Sequence, residues 1–395
     1  MAIEVRLIQD PNLFLKMEAQ WQALQDKSQS DSLFLTWTWM ATWWRFFGDE
    51  TKLWLLLAEE EGQLVGIAPL MISNRAPASK LERANITWRQ LEFMAASAPV
   101  DHWDFIVESG RESEVMPIFL DFIKSHQYAW DVLELANVLP TSPNLPYIRA
   151  TDIPWVETDG HETPFIDLPP DWDTYFNTKI NTQKRNNNRR MYKIIEKGVG
   201  SDWSFSVITD PFELETAMNQ LVELHQQYWV GEDQAGAFAD PHMTEFYYTT
   251  ARRFLERGWL LLVRLVVQGQ PAVVSMQFSY RGRVYSFASG INDEYRKLQV
   301  GNIVTEQILR HAIANGAHEY DFMWGDEEYK FYWGATERVD RVLTWYANPI
   351  ANLTVQVVEL AREGRARLQA WLRGQHAAHA NEEIASSETS PKEGE

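Results

Sequence analysis

Alternating apolar and polar positions define the stretch between Gly258 and Gly334. An apolar run from Trp259 to Val267 precedes a Gly-Gln-Pro turn, and alternating runs follow from Ala272 to Tyr280 and from Val284 to Ser289. Period-two alternation bounded by glycine and proline predicts antiparallel strands joined by tight turns. The middle strand is predicted to present a mostly polar face, which consists of Val273, Ser275, Gln277 and Ser279.

Helical periodicity replaces the alternation after Gly301. Apolar residues recur on one helical face until Asn315-Gly316, a typical helix end. A short strand from His318 to Trp324 is predicted next, and it leads into a charged segment that ends at Gly334. This order of elements can hold an anionic cofactor at the helix start and place charged side chains beside it.

The same order of elements occurs twice along the chain. Asp10-Pro11 and Asp210-Pro211 each follow a predicted strand and begin a predicted helix, because aspartate is a good N-cap and proline fits the first turn. Trp-Leu-Leu-Leu begins at Trp54 and again at Trp259, each time ahead of a Gly-Gln turn and a strand. Matched elements in one order indicate a duplicated fold. We therefore predict an α/β (α+β) protein with two tandem mixed sheets flanked by helices.

Five segments follow from this pattern. Residues 1–160 form a first half, which lacks a charged cluster after its last strand and is expected to be non-catalytic. Residues 161–200 form a basic helical connection, and residues 201–350 form the catalytic half. An amphipathic basic helix is predicted at 351–373, and an acidic tail without fixed structure at 374–395.

Composition narrows the classes of function. The chain of 395 residues has no cysteine, which excludes disulfides, thiolate catalysis and cysteine-ligated metals. No apolar run reaches the length of a membrane span, and no export signal is recognised, so a cytoplasmic protein is expected. The net charge of −19 argues against general binding to DNA. The histidines share no metal-binding spacing, so no metal site is predicted.

The segment Gln299-Val300-Gly301-Asn302 stands directly ahead of the predicted helix. Backbone N–H groups at a helix start are unpaired and carry partial positive charge, so they bind phosphate. These four residues are the predicted cofactor-binding site. The alternative is an ordinary loop that enters a helix.

Charged residues gather at the end of the last strand. A carboxylate from Asp321 or Asp326 can take a proton from an attacking amine or hydroxyl, and Lys330 can stabilise negative charge on a carbonyl oxygen. A solvated loop with one ion pair is an equal alternative. The basic segment upstream, with Arg185 and Arg189, can meet an anionic substrate or form a solvated helix face.

These residues resemble the GNAT-superfamily acetyltransferase-like proteins of cellulose or exopolysaccharide biosynthesis. The resemblance rests on the segments Phe34–Trp39, Val65–Leu70, Thr182–Arg190 and, most strongly, Asp321–Lys330 with Trp333-Gly334 after it. The last motif is also similar to a motif of Fem-type peptidoglycan aminoacyltransferases, which contain two GNAT-like halves.

The resemblance implies two GNAT-like halves and transfer of an acyl group from acetyl-CoA or another acyl-CoA to an amine on a sugar or cell-envelope precursor. It implies Asp321, Asp326, Tyr329 and Lys330 as catalytic residues, and Arg185, Arg189, Trp324 and Trp333 as substrate-binding residues. Only Gln299 and Gly301 of the family's phosphate-binding pattern are present, so aminoacyl-tRNA is an alternative donor. A non-catalytic member of an envelope-polysaccharide complex is the alternative function.

Overall fold

A computed structural model describes residues 2–75, 87–231, 235–348 and residue 353. Its helices are α1 (Pro11–Phe14), α2 (Glu18–Gln25), α3 (Trp37–Phe47), α4 (Glu112–Ser125), α5 (Leu145–Arg149), α6 (Trp172–Thr178), α7 (Thr182–Val199), α8 (Pro211–Gly231), α9 (Pro241–Glu256), α10 (Val300–Ala314) and α11 (Glu328–Tyr332). The tail at 374–395 and, except for Leu353, the helix predicted at 351–373 lie outside the described residues.

The strands are β1 (Glu4–Ile8), β2 (Lys52–Leu53), β3 (Leu55–Glu60), β4 (Gln63–Ala68), β5 (Leu70–Arg75), β6 (Trp88–Phe93), β7 (Ile106–Val107), β8 (Val132–Val138), β9 (Val156–Glu162), β10 (Phe165–Asp167), β11 (Trp203–Ile208), β12 (Leu260–Val267), β13 (Gln270–Tyr280), β14 (Arg283–Ile291), β15 (Glu319–Asp321) and β16 (Val339–Tyr346). Within the described parts of the chain, no helix is long and apolar enough to cross a membrane.

These strands form three sheets in the orders β1-β3-β4-β7, β2-β5-β6-β8-β16-β9 and β10-β15-β14-β13-β12-β11. The last two are mixed, because β6 runs parallel to β8 and β14 runs parallel to β15, whereas their other neighbours are antiparallel. Helices flank the sheets. The predicted fold class is therefore confirmed.

The predicted repeat is present in the strand pairing. β3 lies between β1 and β4, and β12 lies between β11 and β13, with antiparallel pairing in all four cases. The carboxylates of Asp10 and Asp210 each accept the backbone N–H two residues further on, at 2.9 Å. Trp54 and Trp259 each stand directly before the middle strand of their half. Similar local sequences therefore start a helix and precede the same order of paired strands in both halves.

The halves share one apolar core. Trp39 of α3 is fully buried, and its ring lies 6.3 Å from Phe254 of α9 and 6.4 Å from Phe278 of β13. A second core lies between the last sheet and the helices α7 and α10, where Ile195 and Ile303 are fully buried. Tryptophans occupy much of the shared core, and Trp21, Trp43, Trp54 and Trp103 are also fully or almost fully buried.

The chain crosses between the halves after its first 160 residues. β10 pairs with β15 of the second half, and β16 returns to pair with β8 and β9 beside the first half. The predicted segment boundaries remain predictions. β16, which follows the strands of the second half along the chain, is therefore a strand of a sheet of the first half.

Candidate functional site

The parallel strands β14 and β15 separate shortly after they begin to pair. They pair only over Arg283–Tyr285 and Glu319–Asp321. β14 then continues to Ile291, whereas β15 ends and the chain turns away through Phe322. A gap therefore opens between β14 and the segment that follows β15, next to the start of α10.

Two adjoining cavities occupy this gap. The α10 cavity has a volume of about 460 Å³ and reaches from the gap to α10, where Gln299, Gly301, Asn302, Val304, Thr305 and Ile308 line it. The α8 cavity has a volume of about 370 Å³ and lies towards α8, where His225, Tyr228 and Trp229 line it. Both cavities are lined by Ser286, Ser289, Ile291, Arg296, Phe322 and Tyr329. They therefore meet in the gap.

A β-bulge lies where the cavities meet. The register of β13 and β14 shifts between Met276 and Gln277, so that Phe287 has no residue opposite it. Phe287 and its neighbours Ser286 and Ala288 line the α8 cavity. Because a bulge interrupts the hydrogen-bond ladder, backbone groups here can bind a ligand instead of the neighbouring strand.

The predicted phosphate-binding segment lies at the start of α10. Gln299 is the N-cap, with a left-handed φ of 64°, and its side chain caps no backbone N–H of the first turn but accepts from Asn302 Nδ2 at 3.0 Å. Gln299, Gly301 and Asn302 line the α10 cavity, whereas Val300 is fully buried in the second core. The structure thus brings three of the four predicted residues to the cavity, where the first-turn N–H groups are available.

Lys330 is buried beneath the loop that follows β15. Its Nζ donates to the carbonyls of Met323, Trp324 and Gly325 at 3.1, 2.8 and 2.9 Å, and it pairs with Glu327 at 2.8 Å. Three carbonyls take the three N–H bonds of the ammonium. The geometry therefore supports a positioning role for Lys330 in this loop, and its predicted catalytic role remains a prediction.

Lys330→Met is expected to lower the free energy of unfolding by about 1–3 kcal/mol, because it leaves loop carbonyls without their donor. Urea unfolding measures this change. Lys193→Met, on the exposed face of α7, is the control and should stay within about 0.5 kcal/mol of the unchanged protein. Equal unfolding curves for the two variants would contradict the positioning role.

Asp321 lies in a buried ion cluster and does not line either cavity. Its carboxylate pairs with Arg338 and, at 2.7 Å, with His102 Nε2, and it accepts the backbone N–H of Met323 at 2.7 Å. His102 Nδ1 also lies 3.5 Å from Asp340. The cluster joins the first half, β15 and β16, and it supports the loop through Met323.

Electrostatics keep the members of this cluster charged. Burial alone would lower the pKa of His102, but the carboxylates of Asp321 and Asp340 raise it to about 10. Burial alone would raise the pKa of Asp321, but the charges of His102 and Arg338 lower it to about 2. Opposite charges at this distance outweigh desolvation. Asp321 is therefore an ionised carboxylate that holds the buried cluster together. Its predicted catalytic role remains a prediction.

Three predicted residues of the loop are exposed to different extents. Asp326 is exposed and lines neither cavity. Tyr329 lines both cavities and is 49% exposed. Trp324 lines the α8 cavity, and its ring stacks on His161 at 4.4 Å between centroids. The structure therefore brings Tyr329 and Trp324 to the site, together with Lys330, which also lines the α8 cavity, but not Asp326.

The remaining predicted residues lie away from the two cavities. Arg185 donates to the carbonyls of Asn177 and Ile180, at 2.8 Å each, and so holds the connection between α6 and α7. Arg189 is exposed on α7. Trp333 is fully buried in the second core. Their predicted substrate-binding roles remain predictions, and no contact with either cavity supports them.

Sequence reasoning did not identify the residues of α8 that line the site. His225 accepts the indole N–H of Trp229 on Nε2 at 3.0 Å, and its Nδ1 lies 3.2 Å from Gln226 Oε1. Because an indole N–H can only donate, this pairing requires a neutral imidazole with its proton on Nδ1. Burial also lowers the pKa of His225. The site therefore contains a neutral imidazole beside the bulge of β14.

Close packing holds His225 against β14. A Cβ at Gly290 would lie 2.7 Å from the His225 backbone nitrogen, so only glycine permits this approach. Arg190 of α7, which belongs to the predicted basic segment but not to the predicted site residues, lines a further cavity of about 330 Å³ with Gln299 and Asn302. Among the described residues, no group of three or more His, Asp or Glu side chains can hold a metal ion.

The family model described as "Acetyltransferase (GNAT) domain" matches residues 182–331. This range runs from α7 through the strands of the gap to α11. No curated protein sequence matches the chain.

Solved structures share the fold at low sequence identity. FemX aligns with a TM-score of 0.59 and 12% identity over 89% of this chain and 100% of its own. L-PGS from Bacillus licheniformis aligns with a TM-score of 0.53 and 11% identity over 89% of this chain and 96% of its own. A conserved protein from Bacteroides thetaiotaomicron aligns at 0.55, with 9% identity over 87% and 100% of the two chains.

The match and the alignments agree with the geometry of the gap. The family match covers the half in which the strands diverge, and the aligned structures extend over both halves. Identities this low show the fold alone, whereas the family match indicates acyl transfer as the general chemistry. Residues 182–331 thus match the model of an acetyltransferase (GNAT) domain, and they lie within a fold similar to that of FemX.

Proposed function

We propose that the protein is an N-acyltransferase that moves an acyl group from acyl-CoA to an amine on a sugar or cell-envelope precursor. The observation that carries the proposal is the meeting of two cavities at the bulge of β14, in the gap between β14 and β15. Two cavities that share one wall can hold a donor and an acceptor side by side. Such placement makes a bimolecular reaction effectively unimolecular.

The start of α10 is the proposed binding site for the donor phosphates. Gln299, Gly301 and Asn302 stand at the edge of the α10 cavity, and the side chain of the N-cap residue Gln299 caps no backbone N–H of the first turn. Backbone N–H groups and the helix dipole together attract an anion. The donor would then extend from this helix start into the gap.

His225 is the proposed general base. An acceptor amine in the α8 cavity would displace the Trp229 indole from Nε2 and donate an N–H to the same lone pair. The amine nitrogen bonds to the thioester carbon, Nε2 takes the amine proton, and the carbon–sulfur bond breaks to leave the CoA thiolate, which is then protonated. The backbone N–H of Phe287, which has no residue opposite it on β13, is the proposed donor to the negative oxygen that forms in between.

Aromatic side chains around the α8 cavity support a sugar acceptor. Tyr228, Trp229 and Trp324 line it, and Trp324 is 58% exposed. Flat aromatic faces bury the C–H face of a sugar ring, while polar groups nearby orient its hydroxyls. An amino sugar of an envelope or exopolysaccharide precursor fits this lining, and it would link the protein to the polysaccharide machinery.

Calorimetry against CoA and acetyl-CoA tests the donor, and transfer to a panel of amino sugars and peptide amines tests the acceptor. The expected results are binding of CoA and acylation of an amino sugar. The exposed basic face of α7, with Arg189, Arg190, Lys193 and Lys197, favours charged tRNA as the alternative donor. If neither CoA nor charged tRNA binds, the proposal is wrong and a non-catalytic interaction protein replaces it.

Gly301→Val is expected to weaken CoA binding at least about tenfold, or by roughly 1.4 kcal/mol, because a branched side chain blocks approach to the backbone at the helix start. A Cβ at this position would already lie 3.2 Å from Ile291. Calorimetry with CoA measures the change. Ala314→Val, exposed at the other end of α10, is the matched control, and equal affinities of the two variants would exclude this donor site.

A further inference from the structure

The α10 cavity has a polar wall in a layer where apolar side chains are expected. β13 packs beneath α10, and its side chains at Ser275 and Gln277 are 2% and 0% exposed. Both residues line the α10 cavity, together with Ser286, Ser289 and Tyr320. The polar face of β13 seen in the sequence therefore points into this cavity and not into solvent.

These polar groups form a hydrogen-bonded chain. The Tyr320 hydroxyl donates to Gln277 Oε1 at 3.1 Å, and Gln277 Nε2 donates to Ser275 Oγ at 2.6 Å. The hydroxyls of Ser275 and Ser289 are also hydrogen-bonded to each other. Burial of such groups is tolerated only where they are hydrogen-bonded, whereas apolar residues would pack this layer without needing partners. A polar ligand in the cavity would exchange hydrogen bonds with these side chains.

The charges around the cavity restrict that ligand further. Among the described residues that line the cavity, Arg296 is the charged one. Its guanidinium pairs with Asp293 at 2.7 Å and lies over the Tyr228 ring. No acidic residue belongs to the described lining. An ammonium group inside the cavity would therefore be buried without a counter-ion, which is costly. An uncharged hydroxyl or amide meets partners that can both donate and accept.

We propose that the α10 cavity holds the acyl group of the donor and selects an uncharged acyl group that carries a hydroxyl or an amide. This selectivity rests on the proposed acyl transfer and names the class of group transferred. At about 460 Å³, the cavity is in the size range of small-molecule sites. Ser275, Gln277 and Tyr320 are the specificity-determining residues.

A series of CoA thioesters tests the selectivity, because the CoA part is constant and only the acyl group changes. The series is acetyl-CoA, butyryl-CoA, 3-hydroxybutyryl-CoA and 4-aminobutyryl-CoA. For the hydroxybutyryl donor we expect a Kd at least about tenfold lower and a kcat/KM at least about tenfold higher than for the butyryl and aminobutyryl donors. A tenfold ratio corresponds to a free-energy difference of roughly 1.4 kcal/mol. Equal values for all four overturn the proposed selectivity but leave the acyltransferase proposal standing. Absence of CoA binding overturns both.

Gln277→Leu and Tyr320→Phe assign the selectivity to the polar wall. Each variant is expected to reduce the preference for hydroxybutyryl over butyryl to about twofold or less, with butyryl transfer retained. Tyr320→Phe removes only one hydroxyl, so it serves as the test if Gln277→Leu does not fold. Ser279→Ala, on the same strand outside the cavity lining, is the control and should keep the preference. An equal loss of affinity for every donor would show contact with the constant part of CoA and overturn the proposal.

Discussion

Turnover of the His225→Gln variant is expected to fall by about 10²–10⁴-fold, the usual effect of losing a general base. Glutamine retains a polar side chain of similar length but cannot take a proton at neutral pH. His225 lines the α8 cavity and not the α10 cavity, so the affinity for CoA should change by less than about twofold, well below 1 kcal/mol.

Turnover against pH separates a base from a structural histidine. Burial lowers the pKa of His225, and a base acts only when deprotonated, so turnover should rise with pH around a midpoint below the usual histidine pKa of about 6.5 and level off above that midpoint. The rise should be absent in His225→Gln. Trp229→Phe removes the donor that stabilises the neutral ring, so it should move the rise to higher pH.

His311→Gln is the control for this experiment. His311 lies near the end of α10, is half-buried, and has a pKa lowered by burial, but it lines neither cavity. Its substitution should leave turnover within about twofold, because the side chain does not reach the bound donor or acceptor and a remote substitution usually changes the free energy of unfolding by no more than about 0.5 kcal/mol. If His225→Gln keeps its turnover, the assignment of His225 as the base is wrong.

Asp321→Asn is expected to lower the free energy of unfolding by about 3–5 kcal/mol, the usual cost of leaving a buried charge without its partner. Asparagine has nearly the same shape, but it leaves the charges of His102 and Arg338 opposite a neutral group. Urea unfolding at pH 7 measures the loss. Asp326→Asn, an exposed carboxylate in the same loop, is the stability control and should stay within about 0.5 kcal/mol. Similar stabilities of the two variants would contradict the role of the cluster.

The same cluster predicts how stability depends on pH. The pKa of His102 is raised to about 10, so its stabilising charge is complete below about pH 6.5 and is lost as the pH rises towards 10. The pKa of Asp321 is lowered to about 2, so its contribution is present above about pH 3.9 and is lost as the pH falls towards 2.

Unfolding experiments between pH 6.5 and 10 test the alkaline part of this dependence. The free energy of unfolding should fall with a slope of up to about 1.4 kcal/mol per pH unit, the value for one proton. His102→Gln should remove this slope, because glutamine does not titrate. An unchanged slope in that variant would assign the pH dependence to other groups.

The sequence by itself determined the fold class and the order in which similar elements recur. Strand alternation, the two Asp-Pro helix starts and the repeated order of elements are local signals, and each depends on residues close together in the chain. The same is true of the helix start at Gln299–Asn302, because a helix N-terminus exposes its N–H groups in any fold. These features could be predicted because neighbouring residues alone decide them.

Only the tertiary structure decided which side chains meet at the site. Asp321 is bound by His102, which precedes it by 219 residues, and the exposed Trp324 and the buried Trp333 belong to the same motif. His225 reaches the site because α8 packs on β14 at Gly290. Burial and long-range pairing depend on how whole elements pack, and spacing along the chain does not contain that information. The sequence thus located the loop and the helix start, whereas packing determined which of their residues face the cavities and which neighbours complete the site.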